Sequence, residues 1–296
     1  MRIIILGAAA GGGLPQWNCG CANCIAARHG RIPPMTQSSM AVSSDGENWA
    51  VINASPDIRA QLAATPALHP TGPRTVPLQS VLVTNGDIDH VAGLLTLREK
   101  QAFELFATAA IHEVLAENPM FAAVDTELVP RRTVALDTSF GLAAGLTAKL
   151  FAVPGKVPLY LEGDVVDTAL VGETTVGVEI TAEGRRALYI PGCADLPGWL
   201  LERVEGADLL LFDGTLWSDD EMITAGLGAK TGRRMGHISV GDPDGSLARL
   251  ADTRLGRRVF VHINNSNPLC DPASPQSARA QDAGWQIARD GMEISL

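Results

Sequence analysis

The chain lacks the long apolar run that a membrane span requires. No uninterrupted apolar stretch in its 296 residues approaches the roughly 20 residues that cross a bilayer. Its basic residues are outnumbered: 23 lysines and arginines stand against 33 acidic residues, which gives a formal charge of −10. This charge does not indicate a basic surface that would bind nucleic acid or an anionic membrane, so we expect neither partner. Because linkers, low-complexity segments and short repeats are also missing, we expect residues 1–296 to form one domain.

The first residues allow two interpretations. Met1 and Arg2 precede Ile3–Leu6 and a run of alanines, which resembles a short signal peptide. The positive region is a single arginine and the apolar run is very short, so a buried strand ending in a glycine turn is favoured. The five cysteines agree with a cytoplasmic location, because three of them lie within six residues as Cys-x-Cys-x-x-Cys. In a chain of this size that spacing is typical of metal binding rather than of a disulfide framework.

Strand and helix patterns alternate through two similar halves of the chain. Short β-rich runs bounded by turn residues predict strands at 2–6, 49–53, 80–83, 146–153, 174–181, 186–190, 208–212 and 258–263. Helical periodicity predicts helices at 55–64, 91–106, 109–118, 197–205 and 243–253. This order predicts an α/β (α+β) protein built as a layered αββα sandwich, although a doubly wound parallel sheet fits the same pattern.

A glycine-rich turn follows the first predicted strand, but it does not match a dinucleotide-binding loop. The spacing G-x-G-x-x-G starting at Gly7 requires glycine where Ala9 stands, and Pro15 interrupts any following helix. We therefore expect a tight turn in which the backbone passes close to another segment.

Cys19, Cys21 and Cys24 are close enough in sequence for three thiolates to meet at one zinc ion. A closed tetrahedral site needs a fourth ligand, for which His262, Cys270 and His29 are the candidates. Such a site has no open position for substrate, so its role would be structural. The alternative is three buried thiols without a metal.

A second group of candidate ligands follows the predicted strand at 80–83. Asn85, Asp87, Asp89 and His90 come directly after it, and Asp213 and His237 follow in the second half. Three of them have a simpler interpretation: Asp89 as a helix cap, Asp87 as a solvated turn residue, and His237 as a buried core histidine.

These segments resemble the metal motifs of the metallo-β-lactamase superfamily. Residues 84–90 (TNGDIDH) align with its Thr-His-x-His-x-Asp-His motif, but Asn85 and Asp87 replace two histidines, and Gly155 stands where a further one is expected. Residues 189–195 resemble the loop that carries the bridging aspartate, 208–215 resemble a strand leading to an acidic site residue, and 235–239 (MGHIS) match a Gly-His-x-Ser element. His262 stands where the last histidine falls.

Within that superfamily the chain is similar to the pyrroloquinoline quinone (PQQ) biosynthesis protein B family. The similar blocks span nearly the whole chain: 9–19 (AAGGGLPQWNC), 53–59 (NASPDIR), 213–217 (DGTLW) and 262–268 (HINNSNP). The resemblance implies the metallo-β-lactamase fold, structural zinc at the cysteines, and Fe(II)- and O2-dependent hydroxylation of the tyrosine ring of a Glu–Tyr-derived PQQ precursor. Other proteins of that pathway would be partners. Transport of PQQ or a precursor, as a non-catalytic carrier, and metal-dependent hydrolysis remain the alternatives.

The types of the candidate ligands also fit an iron oxygenase, independently of the family resemblance. Zinc hydrolases of this fold surround two ions with imidazoles, whereas this chain offers more oxygen ligands, and two histidines with one carboxylate are typical of non-haem Fe(II) oxygenases. We therefore predict that Asp89, His90, Asp213 and His237 hold the catalytic Fe²⁺, with Asp87 as a further ligand. Asn85 and Trp217 are predicted to contact substrate, and His262, next to an Asn-rich run, is assigned to zinc.

Overall fold

The computed structural model describes residues 1–163 and 166–296. Within these residues, the strands form two sheets of seven strands each. The first sheet contains β1 (Arg2–Gly7), β2 (Ser39–Ser43), β3 (Trp49–Ile52), β4 (Leu78–Leu82), β5 (Glu104–Ala107), β6 (Arg131–Thr133) and β14 (Glu293–Ser295). The second contains β7 (Ser139–Ala143), β8 (Leu146–Gly155), β9 (Leu170–Ala182), β10 (Arg185–Ile190), β11 (Leu209–Asp213), β12 (Arg257–Val261) and β13 (Trp285–Ile287).

The two sheets share one pairing scheme. In the first sheet the order is β14-β1-β2-β3-β4-β5-β6, with antiparallel pairs up to β3 and parallel pairs from β3 onward. In the second the order is β13-β12-β11-β10-β9-β8-β7, antiparallel from β7 to β10 and parallel from β10 to β13. Side chains that follow parallel strands therefore gather at one edge of each sheet, where ligand sites of such sheets commonly lie.

Helices connect and flank the sheets, which confirms the predicted sandwich and rules out a single doubly wound sheet. They are α1 (Ala22–Arg28), α2 (Ile58–Ala64), α3 (Ile88–Val91), α4 (Ala109–Glu117), α5 (Gly198–Val204), α6 (Glu221–Thr224), α7 (Gly232–Met235), α8 (Ser246–Arg249) and α9 (Pro275–Asp282). Short 3₁₀ turns span Pro66–Leu68, Ala92–Leu95, Pro119–Ala123, Leu159–Leu161 and Pro268–Cys270. None of the helices in the described part of the chain is long and apolar enough to cross a membrane.

The predicted helix at 91–106 is wrong. Helix α3 ends at Val91, a 3₁₀ turn follows, and residues Glu104–Ala107 form β5 beside β4. Gly93 packs against the chain at Ala54, whose carbonyl accepts its N–H at 2.8 Å, and a Cβ there would lie 2.2 Å from the Ser55 carbonyl oxygen. The helix predicted at 243–253 is likewise reduced to the four residues of α8.

The glycine turn after β1 behaves as predicted. A Cβ on Gly7 would lie 2.1 Å from the Gln37 carbonyl oxygen, so only glycine fits this close approach. The following residues bridge the two halves of the chain, because Ala9 N–H donates to Thr36 and Ala10 N–H donates to Ile263, each at 2.9 Å. This crossing brings the N-terminal loop beside the end of β12.

Candidate metal centre

Asp89 and His90 lie at the start of α3, just beyond the carboxyl end of β4. The buried His90 ring has its Nδ1 2.7 Å from Asn85 Oδ1, which also accepts the Asp87 N–H at 3.1 Å. An amide oxygen only accepts hydrogen bonds, so Nδ1 carries the hydrogen and Nε2 presents its lone pair. Within the described residues this buried Nε2 has no hydrogen-bond partner. A neutral imidazole held in this way is the form that ligates metals.

His262 follows β12 and turns toward Asp89. Its backbone lies in the left-handed region (φ 56°), and its Nε2 is 3.1 Å from Asp89 Oδ2. Its Nδ1 lies 2.8 Å from the Thr215 hydroxyl, which itself lies 2.6 Å from Asp213 Oδ1. With the Thr215 hydrogen directed to Asp213, His262 Nδ1 donates, and its Nε2 and the Asp89 oxygen are two electron-rich atoms in contact. A shared proton or a cation is required between them.

Asp213 and His237 form the other side of the cluster. Asp213 ends β11, is fully buried, and accepts hydrogen bonds from Cys193 N–H at 2.8 Å and from His237 Nδ1 at 2.7 Å. The ligand atoms of Asp213, His237 and His262 lie within 4.8 Å of one another, as do those of Asp89, His90 and His262. His262 is thus common to both groups, and its ring centroid is 5.3 Å from that of His90 and 5.2 Å from that of His237.

The protonation of the cluster follows from its burial and charges. Burial lowers the pKa of His90 to about 4, although the Asp89 carboxylate works in the opposite direction. Burial also disfavours charge on Asp89 and His262. At Asp89 the nearby His90 and His262 outweigh burial and lower the pKa, and at His262 the Asp89 carboxylate, with Asp213 and Asp87, outweighs it and raises the pKa. The proton on His262 is therefore the one that an incoming metal would displace.

Two of the sequence assignments need correction. His262 lies with the carboxylates and not with the cysteines, because the parallel strand β12 delivers it to the same edge as Asp213. Trp217 is not among the described residues that line the cavity: its ring packs on Gly241 and under Arg279, whose guanidinium carbon is 5.3 Å from the ring centroid. Asn85 does line the cavity, and its amide also orients His90.

A cavity of about 470 Å³ opens onto the cluster. Asp87 lines this cavity but belongs to neither of the two ligand groups. Burial and the nearby charge of Asp89 raise the pKa of the Asp87 carboxyl group. Sequence reasoning missed Lys156, Glu162 and Lys230, which line the same cavity and belong to no recognisable motif. Gly155 ends β8, and a Cβ there would lie 2.7 Å from Thr175 Cβ. A side chain at position 155 has no room in this packing.

The three cysteines converge as the spacing predicts. The Sγ atoms of Cys19, Cys21 and Cys24 lie within 4.8 Å of one another around the start of α1. Burial opposes a thiolate at Cys21, but hydrogen bonds from Cys24 N–H and neighbouring side chains outweigh it and lower its pKa. Burial raises the pKa of Cys24 to about 11. The Cys21 thiol therefore ionises at a lower pH than the Cys24 thiol.

Asn265, rather than His262, lies beside the three sulfurs, where a fourth ligand would stand. Its side-chain amide Nδ2 lies 3.3, 3.5 and 3.4 Å from the sulfurs of Cys19, Cys21 and Cys24. A half-turn of the amide group places Oδ1 toward the sulfurs instead, where it can complete a tetrahedron around zinc. Cys270 is buried separately, with its thiol 3.2 Å from the Asn264 carbonyl oxygen. An asparagine is an unusual zinc ligand, and no spacing rule would have found it.

Known proteins resemble this chain over its whole length. The family profile described as "Beta-lactamase superfamily domain" matches residues 48–263. Coenzyme PQQ synthesis protein B from Ruegeria pomeroyi is 59% identical over 296 residues, covering 100% of both chains. The protein of the same name from Rhizobium meliloti is 54% identical, covering 100% of this chain and 98% of its own.

Solved structures agree with the fold. The crystal structure of Zn²⁺-bound PqqB from Methylobacterium extorquens has a TM-score of 0.98 at 52% identity, covering 100% of both chains. A diphosphatase of the PhnP family has a TM-score of 0.70 at 19% identity, covering 100% of this chain and 97% of its own, and shows the fold alone. The chain has the metallo-β-lactamase fold and belongs to the coenzyme PQQ synthesis protein B family of the β-lactamase superfamily.

Proposed function

We propose that this protein acts in PQQ biosynthesis as an Fe(II)- and O2-dependent hydroxylase of the tyrosine ring of a Glu–Tyr-derived precursor. The observation that carries the proposal is the group Asp89, His90 and His262, whose ligand atoms lie within 4.8 Å of one another. Two imidazoles with one carboxylate are the ligand composition of non-haem Fe(II) oxygenases. When bound, iron would supply the activation of O2.

The protein's own groups prepare this site in three ways. Asn85 holds His90 with its Nε2 free for a metal, at a nitrogen that stays unprotonated at neutral pH. Asp213 accepts the hydrogen of His237 Nδ1, which leaves His237 Nε2 able to take the phenolic proton of a tyrosine ring. Asp213 accepts in addition from Cys193 N–H, which keeps its carboxylate fixed in the buried position.

The residues around the cavity favour one metal ion over a hydrolytic pair. Two-metal hydrolysis uses a second ion to clamp both reacting oxygens. Here Asn85 and Asp87 stand in place of two imidazoles, and Gly155, packed against Thr175, offers no side chain.

We also propose that zinc binds Cys19, Cys21, Cys24 and Asn265 in a structural role. Asn265 is buried, and the carbonyl oxygens of Asn265 and Asn267 both accept from Asn23 Nδ2 at 2.9 Å. A metal held there would fasten the loop before α1 to the segment that follows His262.

The hydroxylase proposal is tested by oxygen incorporation. Protein purified without oxygen is given Fe(II), a reductant, ¹⁸O2 and a Glu–Tyr peptide or its hydroxylated form, and products are followed by mass spectrometry. Wild type should incorporate ¹⁸O, whereas His90→Ala and Asp89→Ala should lose both iron and turnover and keep the cysteine-bound zinc. His69→Ala, at an exposed histidine outside the cluster, serves as the matched control and should remain active.

Two outcomes would replace the proposal. Tight binding of PQQ without metal, together with no oxygen incorporation, would establish the carrier function instead. Phosphoester hydrolysis with added zinc at ordinary enzyme rates would exclude both the oxygenase and the carrier.

A further inference from the structure

Glu162 lies among three cationic side chains. Its carboxylate is 2.9 Å from Lys156 Nζ, 3.2 Å from Lys230 Nζ and 3.0 Å from Arg234 Nη2. The cations come from separate parts of the chain: the residue after β8, the loop before α7, and α7 itself. Three positive charges around one carboxylate leave a local excess of two, in a protein whose formal charge is −10. We call these four residues the cation cluster.

Three of the four residues of the cation cluster lie in the wall of the cavity that opens onto the metal centre, and Arg234 adjoins this wall through its contact with Glu162. Lys156, Glu162 and Lys230 line this cavity together with Asp87, His90 and His237. Only 11% of the Lys156 side chain and 7% of the Glu162 side chain are exposed, so their charges act in a poorly solvated place. Arg234 keeps a buried Nη1 that has no hydrogen-bond partner in the described part of the chain. This unpaired donor and the 38% exposure of the Arg234 side chain would allow the guanidinium to turn toward a ligand.

We infer that Lys230 and Arg234, arranged by Glu162, bind carboxylate groups of the substrate and make the cavity selective for organic anions with two or more carboxylates. This inference rests on the proposed function for the nature of the substrate. Guanidinium and ammonium donors form charge-assisted hydrogen bonds with carboxylates, which are stronger than hydrogen bonds between neutral groups. A cavity of about 470 Å³ is within the size range for a small organic ligand. The substrate would be anchored at the cation cluster while its ring reaches the metal centre.

A purely structural cation cluster would behave differently. If Glu162 served only to fasten residues 156–162 over the cavity, removing one cation would lower thermal stability without changing which ligands bind. If the cations recognise substrate, removing one of them abolishes the preference of the cavity for ligands that carry carboxylates. The preference for charged over neutral ligands is therefore the decisive measurement.

The experiment measures binding to the intact zinc-loaded protein without oxygen, by isothermal titration calorimetry. The probes are Glu–Tyr against Gln–Tyr amide, which keeps the N-terminal amine but has no carboxylate, and PQQ against its trimethyl ester. Wild type should favour the carboxylates by about tenfold or more, which corresponds to one good charged contact. Lys230→Gln and Arg234→Gln should remove most of that preference and weaken its dependence on salt, with unchanged affinity for the probes that have no carboxylate.

Arg233→Gln is the matched control, because Arg233 neighbours Arg234 in sequence but contacts the exposed Asp244. It should bind all four probes as wild type does. A wild type without charge preference, or variants that keep it, would overturn the inference.

The inference and the proposed hydroxylase can fail separately. Charge preference for PQQ that is lost in the variants, without oxygen incorporation into the peptide, keeps the cation cluster as a carboxylate site and removes the hydroxylase. Oxygen incorporation with an unchanged KM in Lys230→Gln and Arg234→Gln keeps the hydroxylase and removes the carboxylate site.

Discussion

Asn85 determines which nitrogen of His90 faces a metal, although it need not touch the metal itself. Its Oδ1 lies 2.7 Å from His90 Nδ1. We expect Asn85→Ala to weaken metal binding at this centre by about 10–100-fold, as is usual when the group that orients a ligating histidine is removed. Competition with a metal indicator measures this affinity. Asn48→Ala, at a partly exposed asparagine between β2 and β3, is the control, and equal affinities in the two variants would contradict the assigned role.

Substitutions also test which of Asn265 and Cys270 is the fourth ligand of the zinc at the cysteine site. Asn265→Ala should release zinc from the cysteine site or strongly lower the affinity for it, because a ligand of the tetrahedral site is lost. Cys270→Ala should retain it, since the Cys270 thiol contacts the Asn264 carbonyl instead. The measurement is zinc freed by mercurial modification of the thiols, followed with a colorimetric chelator. Zinc lost from Cys270→Ala and kept in Asn265→Ala would reverse the assignment.

At the residue scale, sequence motifs predicted the meeting of Asp89, His90, Asp213 and His237, because each follows a strand or a recognisable loop. They failed for His262, since sequence does not show toward which neighbour a loop turns, and here a left-handed residue decides it. They failed for Trp217 because an aromatic residue near a site is as readily part of the packing. The cation cluster was missed because it is assembled from two distant segments, 156–162 and 230–234, that carry no motif.

Glu162 connects elements that sequence keeps apart, and it should respond to acid. Burial disfavours its charge, but Lys156, Arg234 and Lys230 outweigh this and hold the pKa at about 2. A carboxylate with a lowered pKa stabilises the fold above its unfolded pKa of about 4.5 and loses this contribution as the pH falls toward about 2.

Glu162→Gln should therefore reduce the free energy of unfolding by about 1–3 kcal/mol at pH 7, the usual range for hydrogen bonds to a charged group. The difference from wild type should shrink as the pH falls from about 4.5 to about 2. Urea unfolding across this range measures it. Glu99→Gln is the control, because Glu99 lies 3.5 Å from Arg98 on the exposed surface. A difference that does not depend on pH would show that the charge of Glu162 does not matter.

At the scale of elements, the sequence patterns located most strands within a few residues, because buried β-branched runs bounded by turns leave little choice. The strand predicted at 186–190 is observed as Arg185–Ile190. Residues 91–106 were assigned to a helix because their apolar residues also fit a helical spacing. The Gly93 contact with Ala54 and the pairing of β5 with β4 depend on distant segments, which local periodicity does not report.

For the whole molecule, the C-terminal strand β14 completes the first sheet by pairing with β1. Ile294 lies opposite Ile3 in this pairing and is fully buried. We expect Ile294→Ala to lower the free energy of unfolding by about 2–5 kcal/mol, as for other large-to-small changes in a core. Thermal or urea unfolding measures the loss. Ser295→Ala, at the exposed neighbouring position, should change little, and equal effects of the two substitutions would contradict this account.

The sandwich was one of two architectures that fitted the alternating strands and helices of the two halves, the other being a doubly wound parallel sheet. The resemblance to the metallo-β-lactamase superfamily favoured the sandwich. The pairing of the first and last strands was not predicted. It joins residues almost 300 positions apart, as in the hydrogen bonds between Met1 and Leu296. No local pattern carries that information.

The crowding at Gly155 bears on how this protein can diverge. A histidine there would have to push aside Thr175, whose hydroxyl donates to the Lys156 carbonyl at 3.0 Å and whose backbone pairs with Asn85. The displacement would disturb the orienting group of His90 and a member of the cation cluster together. Acquiring a histidine-rich, two-metal centre would therefore take coordinated changes at positions 155 and 175, with a damaged intermediate between them. Natural selection would not easily reach such a centre one mutation at a time.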